Sequence, residues 1–121
     1  MDMTRYFKSV LEQDRAPIVL CDTENRIIYL NPAARKKYPG IEIGDDIFAC
    51  HNAHSNEMIK KVVGWFGESA ENNIIATYRN DRENKDVYMV ALRDENGKLI
   101  GYYEKHEYRD RETAALYDFK K

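Results

Sequence analysis

The sequence predicts an α+β domain: one five-stranded antiparallel sheet, helices across one of its faces, and an amphipathic helix ahead of it. Three observations lead there. Val87–Arg93 and Lys98–Glu107 are rich in Val, Ile, Leu and Tyr and flank Asn96-Gly97, the dipeptide that best tolerates the positive φ of a tight hairpin turn. Two further β-prone runs, Pro17–Asp22 and Arg26–Leu30, stand near the other end, and helical patterns fill the middle. In a single domain of 121 residues, strands at both ends share a sheet when the first two pair beside the last three.

Met1 to Asp14 places Met3, Phe7, Val10 and Leu11 on one stripe at helical spacing, with Asp2 or Thr4 able to cap the start. That stripe needs a cover, either the sheet or a second copy of the chain. Residues 1–14 are therefore read as a cap or dimer seam, 15–110 as the domain, and 111–121 as a tail or signalling linker. Asp22–Asn25 is a turn with Asx chemistry between the first two strands. Asn31 caps a short helix with Pro32 at its first position, and Pro39-Gly40 stops it. A longer helix runs from about Asn56 to Phe66, with Ser55 as its cap, Gly67 as its stop, and Met58, Ile59, Val62, Val63 and Phe66 as its apolar stripe. Asn73–Tyr78 is a third strand, Arg79–Lys85 a charged, solvated turn, and Thr113–Phe119 weakly helical.

The hairpin leaves two registers open: a two-residue type I′ turn, or a type I turn closed by Gly97 with a bulge. In either, Tyr88, Val90 and Leu92 share one face and Val87, Met89 and Ala91 the other. A strand apolar on both faces is expected in the middle of a fold, covered on both sides.

A charged fraction of 33% with a net charge of −2 and interleaved signs leaves no electrostatic footprint for nucleic acid. No stretch approaches a membrane span and no signal-peptide core is present. Two cysteines, Cys21 and Cys50, fit free thiols of a cytoplasmic protein, since a domain this size needs no disulfide. The nine tyrosines point to a semi-polar interior or an interface.

Several motifs in order resemble the PAS domain family. Asp22-Thr-Glu-Asn-Arg-Ile-Ile-Tyr-Leu-Asn-Pro-Ala-Ala34 is similar to its opening hairpin and Asn-x-Ala-Ala helix start, and Ile43-Gly44-Asp-Asp-Ile47 to its glycine turn before the long helix. Arg93–Gly101 carries the Asp-x-x-Gly-x-x-x-Gly pattern of its last hairpin, whereas Tyr108–Glu112 departs from the usual Asp-Ile-Thr exit. Cys50, His51 and Ser55 also resemble a bacterial PAS subgroup whose signature reads Cys-His-Pro-Pro-x-Ser, with Asn52-Ala53 here in place of the prolines. The resemblance implies a cytoplasmic module for sensing or interaction, usually a homodimer engaging a signalling partner. Such modules sometimes hold haem, flavin or a small metabolite between sheet and helices. It implies no catalysis. The cysteine motif of flavin photosensors is missing, because Cys50 is followed by His51-Asn52.

His51 and Cys50 head the candidate ligand site, as axial ligands if haem is bound, with Met58, Val62, Phe66, Met89 and Tyr103 as its lining. The plainer alternatives are that His51 bonds locally and that the stripe is core. As a catalytic pair, Cys50 and His51 are expected to fail, because neighbours in an extended segment point to opposite sides. Cys50, His51, His54 and His106 match no standard zinc spacing. Phosphate-loop, nucleophile-elbow and zincin motifs are absent from the sequence. The reading is a sensory domain for a small ligand or haem, signalling through its terminal helices. The alternative is a ligand-free module for dimerisation or docking.

Overall fold

The computed structural model describes residues 1–118. Strands β1 (Val19–Asp22), β2 (Ile27–Leu30), β3 (Ile74–Asn80), β4 (Lys85–Arg93) and β5 (Leu99–Tyr108) form one antiparallel sheet in the order β2-β1-β5-β4-β3. The first two strands thus join the last three through β1 and β5, as the strand placement required. Gly101 permits that joint: opposite Asp22, it lies so close to β1 that any side chain there would collide with the Cys21 carbonyl. Helices α1 (Thr4–Gln13), α2 (Pro32–Lys37) and α3 (Ala53–Glu68) complete the fold, with a 3-10 turn at Ile47–Cys50 between α2 and α3. No helix among the described residues is long and apolar enough to cross a membrane.

Of the two hairpin registers, the bulged one forms. Gly97 N–H donates to the Asp94 carbonyl at 3.0 Å with Gly97 at φ +83°, and the pairing slips between Leu92 and Arg93. The Asp94 carboxylate accepts from the N–H groups of Asn96 and Lys98 at 2.9 and 3.0 Å, which fixes the type I turn from inside.

The core lies on one face only. Cys21, Ile27, Leu30, Met89 and Tyr102 from the strands meet Ala34, Ile47, Ile59 and Phe66 from the helical side. The expectation of cover on both faces is corrected. No residue of α1 is buried, and Phe7 and Val10 stay 63% and 69% exposed. The outer face keeps Ile74 and Ile100 exposed, while Tyr88, Val90 and Leu92 are half-buried.

Four local readings also change. α3 starts at Ala53, because the Asn52 carboxamide rather than Ser55 caps it, accepting from the Ser55 N–H at 2.8 Å. It runs past Gly67 because Arg93 tends its C-terminus: the guanidinium donates to the carbonyls of Phe66, Ser69 and Asn72 at 2.7, 3.0 and 3.1 Å. The charged turn is shorter than expected. Lys85 opens β4 and is buried, its ammonium 5.2 Å from the Tyr108 ring centre and 3.5 Å from Glu83. At the C-terminal end, residues 113–118 form no helix, and Phe119 lies outside the described residues.

Asn31 is the joint between these parts. Its oxygen accepts from Ala34 N–H, capping α2, and from Ile18 N–H, both at 2.9 Å. Its NH2 group donates to the carbonyls of Leu11, Asp14 and Ala16 at 3.0, 3.3 and 3.0 Å, with three acceptors sharing two protons. The side chain is fully buried. Asn31→Ala would strand buried donors and acceptors on both sides of the amide, so urea unfolding should show a loss of about 3–5 kcal/mol. Asn31→Asp keeps the acceptor but faces three carbonyls with an acid, and should lose at least half as much.

Candidate ligand cavity and family

A cavity of about 130 Å3 lies between the inner face of β1 and β5 and the segment joining α2 to α3. Val19, Ile41, Ile47, Ile59 and Met89 make its apolar wall, and the rings of Tyr38 and Tyr102 border it. Its polar side carries Glu104 and His106 from β5 together with Cys50 and His51 from the 3-10 turn and its cap.

Of the residues expected here, Cys50, His51, Met89 and Tyr103 line the cavity. Met58, Val62 and Phe66 do not. Phe66 is fully buried core, and Met58 and Val62 pack against that core. α3 turns Ile59 and Phe66, seven residues and two turns apart, inward, and only Ile59 reaches the cavity. The stripe is thus mostly packing.

Cys50 lies in a 3-10 turn, and only His51, its cap, has extended backbone. The Asp46 carboxylate accepts from Phe48 N–H at 2.9 Å and starts the 3-10 turn, which brings both residues to the cavity wall. His51 Nδ1–H donates to the Ile47 carbonyl at 2.9 Å, a contact that fixes the ring and its tautomer. Cys50 Sγ sits 3.8 Å from the Asp46 carbonyl, and burial, with Asp45 and Asp46 nearby, raises its thiol pKa. A thiol pushed in that direction is not an activated nucleophile. His54 lies exposed in the first turn of α3, and among the described residues no three His, Cys, Asp or Glu side chains converge as a metal site. Cys21 is a buried free thiol, raised to about 11 by its burial.

Glu104 was missed by sequence reasoning, and His106 was weighed only as a zinc ligand, not as part of the cavity wall. The register pairs Met89 with Glu104 and Val87 with His106, so both point to the core face. Alternation along Tyr102, Glu104 and His106, anchored on buried Met89, would have exposed this once the bulge was known. Glu104 keeps 38% of its side-chain surface free although protein surrounds it on most sides, because it borders the cavity. Burial raises its carboxyl pKa, opposed by His51 and Lys85. The His106 side chain is only 5% exposed. Burial, then the charges of Lys85 and Lys37, lower its pKa to about 4, so the ring is neutral at pH 7. His106 Nε2 lies 3.5 Å from Glu104, and Nδ1 has no partner among the described residues.

The sequence model of the PAS domain family matches residues 7–106. The chain belongs to this family. Among solved structures, the C-terminal domain of a Streptococcus mutans protein is similar over 87% of this chain and 84% of its own, at 22% identity and a TM-score of 0.65. A PAS domain from Colwellia psychrerythraea covers 89% and 98% of the two chains at 17% identity and a TM-score of 0.64. The PAS domain of BvgS from Bordetella pertussis covers 92% and 89% at 16% identity and a TM-score of 0.57. At these identities the likeness speaks for the fold. No curated protein matches the chain. PAS domains are generally sensory or interaction modules rather than enzymes, and this one has the five-stranded sheet and helical face of that fold.

The neutral imidazole carries a pH signature. From pH 6.5 down to about 4 the unfolded chain protonates His106 while the folded domain does not, so stability falls as pH falls. Glu104 works the other way: its raised pKa lets the folded state take up a proton before the unfolded chain does near 4.5, adding stability on acidification. In urea unfolding between pH 7.5 and 4, His106→Gln should remove an acid destabilisation of up to about 3 kcal/mol. An unchanged slope would show that His106 is charged in the fold.

Proposed function

We propose that this PAS domain is a sensor that binds a small molecule in the cavity between β5 and the α2–α3 segment. The observation that carries the reading is a void walled by apolar side chains with polar groups gathered on one side, the usual composition of a ligand site. Its position suggests how occupancy would be reported. Pro17 and Val19 line the cavity, and Asn31 joins that same linker to the end of α1. A ligand displacing Pro17 would therefore press on the three carbonyls that hold α1 in place.

Size argues for a compact, colourless ligand over haem. A dry cavity of roughly 150 Å3 holds benzene, and a porphyrin is several times larger. The axial-ligand alternative at His51 or Cys50 would need the wall at Ile47–His51 to swing out. An absorption spectrum before and after haemin and dithionite should show protein absorbance alone. A Soret band that shifts on reduction and disappears on replacing His51 and Cys50 with alanine would reverse this choice.

The output is proposed to run through a homodimer. Met3, Phe7 and Val10 form the exposed side of α1, while Leu11 turns partly inward. Phe7→Glu with Val10→Glu should convert a dimer to a monomer in light scattering and leave the fold intact, since neither side chain is buried. A wild-type chain that is monomeric at high concentration would remove the dimer from the proposal.

A further inference from the structure

The cavity has a sign. Glu104 is the one carboxylate on its wall, and no lysine or arginine lines it. The two lysines whose charges reach His106 are engaged elsewhere: Lys37 donates to Glu83 at 2.7 Å, and Lys85 sits over the Tyr108 ring within 3.5 Å of the same carboxylate. Among the described residues, the nearest donor to the Glu104 carboxyl is His106 Nε2 at 3.5 Å, beyond a good hydrogen bond. The imidazole there is neutral, so it offers Glu104 at most a weak dipole and no counter-charge. His51 and Lys85 act on Glu104 only through space, with no hydrogen bond or ion pair to it among the described residues. An acid so placed at the edge of an apolar void is further stabilised in its charged form by a cation that enters and touches it.

Resting on the cavity as a ligand site, we propose that it selects a small organic cation whose ammonium head pairs with Glu104 and whose apolar body fills the wall of Val19, Ile47, Ile59 and Met89. An ammonium supplies charge-assisted hydrogen bonds that the carboxylate lacks at present. The Tyr38 and Tyr102 rings bordering the cavity add faces on which a cation is favoured over an anion. A body of roughly six to eight non-hydrogen atoms suits a volume of about 130 Å3, by comparison with the benzene cavity. A carboxylate ligand would meet Glu104 as a like charge, and a neutral one would leave the acid unpaired.

The test uses the full chain, isotopically labelled, at pH 7.5. Benzylamine and isopentylamine are titrated against benzyl alcohol and benzoate, following the backbone amides of Tyr102–His106 and Ile47–His51 together with the melting temperature. Saturable shifts in both segments are expected from the amines. Glu104→Gln should weaken amine binding at least about tenfold while leaving benzyl alcohol unaffected. If that variant fails to fold, the wild-type preference for amine over alcohol decides the matter alone. Benzyl alcohol or benzoate binding the wild-type chain as tightly as the amines would overturn the cation and leave the cavity reading standing. No shift in either segment from any of the four probes would overturn both.

Discussion

A single carboxamide decides how the pieces of this domain meet. The Asn31 side chain, just past the end of β2, bonds the end of α1, the linker into β1 and the start of α2, and it is sealed from water. Only an amide carries both a two-lone-pair acceptor and two protons on one planar group. A carboxylate would lose the donors, and an apolar side chain would leave backbone groups of three segments without partners. Because the same group caps α2, the pairing of β1 with β2 and the direction of the next helix are set together. Arg93 plays the matching part at the far end, gathering the carbonyls at the C-terminus of α3 against the hairpin.

Between these two joints the core is not packed for stability alone. A strand facing the interior would normally place apolar residues at every inward position, yet β5 sends in Tyr102, Glu104 and His106. Tyr102 is satisfied, its hydroxyl donating to the Asn25 side chain at 2.7 Å. Glu104 and His106 are not, and each is shifted toward its neutral form by burial. Polar groups left in that condition where Val or Leu would pack are the kind of local inconsistency that marks functional positions.

The sheet, its strand membership and the two convincing helices were legible because they rest on periodicity and turn chemistry, which are local. Asn31-Pro32 read correctly as a helix start for the same reason. What the residues could not disclose were long-range matters. That Asn31 also reaches back to Leu11 depends on the path of a linker. That Arg93 tends the end of α3 explains why Gly67 fails to stop that helix, and no neighbour of Gly67 in sequence says so. The cavity wall was half legible. Met89 marked the dry face, but the turn alone sets Arg93 opposite Leu99, and only the slip between Leu92 and Arg93 brings Glu104 rather than Lys105 onto that face. The stripe Met58/Val62/Phe66 looked like a lining because a helical pattern reports which side is dry, not whether that side meets a void or other side chains.

The antiparallel joint of β1 and β5 has a mechanical consequence. Leu20 pairs with Tyr103 and Asp22 with Gly101, so the chain enters β1 beside the end from which it leaves β5, and Arg15 and Glu112 meet there at 3.4 Å. A load applied across the two ends would therefore open the β1–β5 ladder like a zip, bond after bond, instead of shearing all its bonds at once.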